Sequence, residues 1–130
     1  MTNSISVYIR KADAALSTAR LALNAGDADS ACNRAYFAMF DMAHAALLAS
    51  GAEMLDKPIK THNGLIGLFG LHLVRSGNIA AEHGHAFNRV QNFRLVADYE
   101  GDFVRIEDAT WAVERAEAFA VAIKAKFFVD

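Results

Sequence analysis

The 130-residue chain has one cysteine, one proline and one tryptophan, and each scarcity closes a class of structure. A lone thiol, Cys32, forms no internal disulfide, so no cystine framework holds this fold. With Pro58 the only proline and eight glycines in all, little in the chain interrupts a helical period. Neither sign of charge dominates: 13 basic against 15 acidic side chains leave a net charge of −2. That balance excludes a global attraction to nucleic acid, so any phosphate contact must be local. Asp41, His44, His72 and Arg75 break the apolar stretches well short of a membrane span, and no transmembrane helix is expected. The opening Met1-Thr2-Asn3-Ser4 lacks a basic-then-apolar secretion pattern, which with the unpaired thiol predicts a reduced, cytoplasmic protein.

What the chain does have is alanine, 26 residues of it, within a composition that is 54% hydrophobic. This predicts an all-α domain spanning residues 1–130, large enough to bury a core without a structural metal. Ile5, Tyr8, Ala12, Ala15, Ala19 and Ala22 recur at helical spacing after a cap at Asn3 or Ser4 and define a first helix over roughly residues 4–25. Asp27 caps a second helix that is apolar nearly all round, and therefore central, and that Gly51 stops. The segment from Ala52 to Lys60 reads as a loop. Thr61 opens a third helix through Arg75, and Ser76-Gly77-Asn78 is a turn. A fourth helix carries Ile79, Ala86, Val90, Phe93 and Ala97 on one face, and a fifth carries Ile106, Ala109, Val113, Ala116, Ala120, Ile123 and Phe127. Gly64, Gly67 and Gly70 are expected to let helices pack closely, since no strand precedes them and no Lys-Ser/Thr follows to make a phosphate loop.

Two clusters carry chemistry. On the second helix Ser30, Arg34, Asp41 and His44 share a sector of about 80°, with Phe37 among them, and are expected to form a polar network with each other or with a neighbour. On the fourth, Arg94 and Asp98 are one turn apart, with Gln91 and Phe87 continuing the stripe. A guanidinium in such surroundings is either a structural strut or half of a phosphate site. Asp41-x-x-His44 and Glu82-x-x-His85, with Glu117, leave a di-metal bundle as an alternative, although Asp41 stands where that pattern calls for glutamate. No nucleophilic triad is legible, and Cys32 reads as an inert core thiol.

Four blocks in order, Ser30-Ala31-Cys32-Asn33-Arg34-Ala35-Tyr36-Phe37-Ala38-Met39-Phe40, Lys60-Thr61-His62-Asn63-Gly64-Leu65-Ile66-Gly67-Leu68-Phe69, Ser76-Gly77-Asn78-Ile79 and Arg94-Leu95-Val96-Ala97-Asp98-Tyr99, resemble the short bacterial and archaeal HEPN-domain proteins. The resemblance implies an up-and-down helical bundle of four main helices plus a shorter one, usually dimeric. It further implies a toxin–antitoxin type of operon, with a small nucleotidyltransferase as antitoxin partner, RNA as target and no cofactor. Many such domains are metal-independent endoribonucleases in which an arginine, followed four to six residues later by histidine, holds the phosphate while the histidine moves protons. Here Asp98 follows Arg94, and no arginine of the chain has a histidine at that distance. His62 is the histidine that can stand in, facing a cleft shared with the fourth helix. The candidate catalytic residues are thus Arg94, Asp98 and His62, and the candidate phosphate contacts Arg34 and Arg94. Related toxins carry AMP on a tyrosine shortly after the motif arginine, and Tyr99 resembles that residue. A domain that has lost cleavage and serves in dimerisation or in RNA or nucleotide binding is the alternative.

Overall fold

The computed structural model describes residues 3–51, 61–99 and 101–128. The chain runs as α1 (Asn3–Asn24), α2 (Ala28–Ser50), α3 (His62–Phe69) continued by a π-helical turn (Gly70–Val74), α4 (Ala81–Tyr99) and α5 (Ile106–Phe127). Four long helices and a short one are the bundle the sequence predicts. The expected loop of residues 52–60 lies outside the described residues.

Local chemistry sets each boundary. Asn3 and Ser4 stand inside α1 rather than capping it, whereas Asp27 does cap α2, its carboxylate accepting from the Ser30 amide at 3.1 Å. Gly26 and Gly51 close α1 and α2 with φ of 80° and 79°, a conformation that costs other residues about 1 kcal/mol. The Thr61 hydroxyl caps α3 by accepting from the Gly64 amide at 2.9 Å.

Alanine explains the packing. Ala12, Ala15 and Ala19 on α1 and Ala31, Ala35, Ala38, Ala43, Ala45 and Ala46 on α2 are buried, and such small side chains let the two backbones approach closely. α2 packs against α1, α3, α4 and α5, so the all-round apolar helix is indeed the central one. Phe69, Phe87 and Phe119 meet with ring centroids 5.2–5.8 Å apart and fill the space where α3, α4 and α5 converge. Each such ring contributes about 1.5–3 kcal/mol by burial. Arg20 pairs with Glu117, and Lys124 with Asp13 at 2.8 Å, which sets α1 antiparallel to α5. Both pairs are well exposed and contribute under about 1 kcal/mol, so burial dominates.

The third helix departs from expectation. After Phe69 it widens into a π turn, the Arg75 amide donating to Gly70 five residues back at 2.9 Å. Ile79 is buried but precedes α4, and Ile106 is 43% exposed at the start of α5, outside the buried stripe. The glycine expectation is corrected too. A Cβ on Gly67 or Gly70 would meet nothing within 4 Å, whereas one on Gly64 would lie 2.8 Å from the capping Thr61 Oγ1. The close approach belongs to Gly84, where a Cβ would lie 3.1 Å from Val74 Cγ2 as α4 crosses the π turn.

Candidate phosphate site at Arg94

α4 directs Arg94 inward against α2, and the residue is only 7% exposed. Its guanidinium lies 4.6 Å from the Tyr36 ring centroid and 5.5 Å from that of Phe37. Nη1 donates to Asp98 Oδ2 at 3.2 Å, while Nε is buried without a hydrogen-bond partner. A guanidinium stacked on two rings and half-satisfied by one carboxylate retains donors for an anion.

Asp98 does more than the sequence reading assigns. Its Oδ2 also accepts from Asn33 Nδ2 at 3.4 Å. Asn33 Oδ1 in turn accepts from Arg34 Nε and Nη2 at 3.1 and 2.9 Å, and the Arg34 guanidinium lies 5.1 Å from the Phe37 centroid. The two candidate phosphate arginines are thereby joined through Asn33 and Asp98 and share the Phe37 ring. Arg34, Asn33 and Asp98 line a depression of about 380 Å³ together with Thr18, Asp29 and Ser30.

His62, at the first position of α3, also contacts Tyr36. Its Nδ1 is 2.7 Å from the Tyr36 hydroxyl, and its ring lies 4.6–5.6 Å from those of Tyr36, Phe37 and Phe40. Burial and then the nearby Arg94 charge lower its pKa below the ordinary 6.5, which keeps the imidazole neutral. Burial raises the Tyr36 phenol pKa, and Arg94 offsets this only in part, so the phenol stays protonated. Arg94 and His62, 32 residues apart in the chain, therefore flank the same two aromatic residues. Beside them Gln91 Nε2 donates to Asn63 Oδ1 at 3.0 Å, while the Gln91 Oε1 is buried and unpartnered. Tyr36, Asn33 and Asn63 are the residues sequence reasoning did not single out. The only signal for them was membership in the family-like blocks.

The sequence profile of the HEPN domain matches residues 5–126, nearly the whole bundle. This chain belongs to the HEPN family. A UPF0332 protein of Thermotoga maritima is 32% identical over 123 residues, covering 92% of this chain and 88% of that protein. "Putative toxin MJ0605" of Methanocaldococcus jannaschii is 33% identical over 120 residues, covering 92% and 86%. A UPF0332 protein of Gloeobacter violaceus is 34% identical over 101 residues, covering 78% and 76%.

Of the four polar residues on one side of α2, Arg34 hydrogen-bonds Asn33 and lines a depression with Ser30 and another with Asp41, while His44 stacks on Tyr8 with centroids 4.0 Å apart. Asp41 is left half-buried, its pKa raised by burial and held back by Lys11 and Arg34. The di-metal set is dispersed. Glu82 pairs with Arg115 at 3.6 Å and Glu117 with Arg20, and among the described residues no three His, Cys, Asp or Glu side chains gather at metal-binding distance. Tyr99 closes α4, and its side chain lies outside those described. Among the described residues no helix is long and apolar enough to cross a membrane.

Proposed function

We propose that this HEPN protein acts on RNA as the toxin-like member of a two-component system, binding a phosphodiester at Arg94 and cleaving it without metal through His62. The observation that carries this reading is Tyr36, whose ring lies under the Arg94 guanidinium and whose hydroxyl hydrogen-bonds His62. Tyr36 thereby connects an arginine with a histidine, the two residue types of the linear motif. The name of the archaeal relative supports the toxin-like reading.

The chemistry needs the tautomer in which His62 Nδ1–H donates to Tyr36 Oη and Nε2 keeps its lone pair. Nε2 then takes the proton of the ribose 2′-hydroxyl, whose oxygen attacks the adjacent phosphorus. The 5′ oxygen leaves and receives that proton, giving a 2′,3′-cyclic phosphate and a 5′-hydroxyl. Arg94 holds the non-bridging oxygens as their charge grows. Asp98 acts as a positioning residue, fixing Arg94 from one side and, through Asn33, Arg34 from the other.

A small nucleotidyltransferase is the partner this reading calls for, with Tyr99, five residues past Arg94 at the end of α4, as the hydroxyl that receives AMP. Mass spectrometry of the Tyr99 peptide after co-expression with the neighbouring gene reads that modification directly. The central test is cleavage of single-stranded RNA by purified protein in the presence of EDTA. Cyclic-phosphate ends are expected, with losses of about 100-fold or more in His62→Ala and Arg94→Ala. Binding without cleavage by the wild type would leave the family's alternative, an RNA-binding module.

A further inference from the structure

A groove of about 500 Å³ runs between α3 with its π turn and α4, lined by Gly67, Gly70 and Gly84 and by the polar side chains of Asn63, His85 and Asn88. Gly67 and Gly70 have no positive φ, and a Cβ on either would touch nothing. Neither backbone conformation nor packing therefore calls for glycine there. What the two missing side chains provide is the open groove itself. Its size is that of a small-molecule or nucleotide site. Arg75 also lines it and no carboxylate does, in contrast to the depression beside Arg34, which holds Asp29 and Asp98.

The groove is tied to the site at Arg94 through one of its lining residues, Asn63. Asn63 follows His62 directly, and its Oδ1 is held by Gln91 Nε2, one helical turn before Arg94. Fixing Oδ1 in this way turns the Asn63 Nδ2 donors to other partners. Leu71, 50% exposed, adds an apolar surface at the same groove.

We infer that this groove seats a nucleobase of the RNA whose phosphate lies at Arg94, with Asn63 and Asn88 contacting the base edge and Gly67 and Gly70 leaving room for the ring. The inference rests on the proposed RNA site and assigns it a base-binding extension. A planar ring laid on glycine-lined backbone next to carboxamides is recognised by contact across its face and by its hydrogen-bonding edge.

The test compares a single-stranded RNA octamer with an abasic ribose-phosphate octamer, both fluorescently labelled, on wild type, Gly67→Leu and Gly70→Leu. Wild type is expected to bind the base-bearing strand about tenfold more tightly or better. Gly67→Leu and Gly70→Leu, with thermal midpoints unchanged or raised, are expected to lose that preference and keep abasic binding, whereas Arg94→Ala weakens both ligands. Folded leucine variants that retain the preference would overturn the inference. So would a wild type that binds both strands equally, which leaves the phosphate site standing. A wild type that binds neither strand overturns the RNA reading as well. If the leucine variants instead lose a co-expressed protein partner and bind RNA normally, the groove is a protein-docking surface and the inference fails.

Discussion

His62 is held neutral by burial and by the charge of Arg94, and that has a sign that can be measured. With its folded pKa below 6.5, the folded state binds fewer protons than the unfolded chain as pH falls through 6.5 towards the folded value. Its contribution is fully present above 6.5 and is lost on acidification below it. His83 shifts the same way through burial, with Glu82 opposing and Arg115 reinforcing. A thermal midpoint that falls between about pH 7 and pH 5, with a shallower slope in His62→Gln, is the expected result. Cleavage should fall with acid over the same range, because a protonated imidazole cannot act as base. At this scale the sequence revealed the residues but not their company. Arg94–Asp98 was legible as a one-turn pair, whereas Tyr36 binding His62 joins positions 26 apart and leaves no periodic trace. Arg34 finds its hydrogen bonds at the next-door Asn33, a contact that a helical wheel does not display.

α3 shows how three glycines in one short element can have opposite roles. Thr61→Ala removes the hydroxyl that caps the helix presenting His62 and should cost about 1 kcal/mol. Gly64→Ala should destabilise too, despite the better helix former, because its Cβ would press on the same Thr61 oxygen at 2.8 Å. Gly67→Ala and Gly70→Ala, with open space around them, should each stabilise by up to about 1 kcal/mol. Urea unfolding of the four variants measures this, and equal effects at all three glycines would contradict the assignment. Helix periodicity located α1, α2 and α5 within a residue or two, since caps and apolar stripes are local signals. The π turn was illegible. The Arg75 amide reaching five residues back to Gly70 leaves no mark in the apolar pattern of the segment.

The whole bundle leaves its site on one face. Half-buried Phe37 and Phe40 of α2 and half-buried Leu95 and Val96 of α4 surround or adjoin the Arg94 cluster, a self-complementary mixture of apolar and charged groups that suits a two-fold interface bringing two such sites together. Light scattering in dilute solution should give twice 14.1 kDa, and Asp98→Arg, placing like charges across the axis, should halve it. A wild type that is monomeric at micromolar concentration would remove the interface.

Cys32 lies at the middle of all this, 0% exposed on α2, with burial pushing its thiol up to about 12. An enclosed, protonated thiol is invisible to alkylating reagents until the helices around it part. Because it is the only sulfhydryl in the chain, the rate at which a thiol reagent consumes it is a clock for the opening of the bundle. Run with and without RNA, that clock reports through the core, and not through the site, how much an occupied Arg94 steadies the fold.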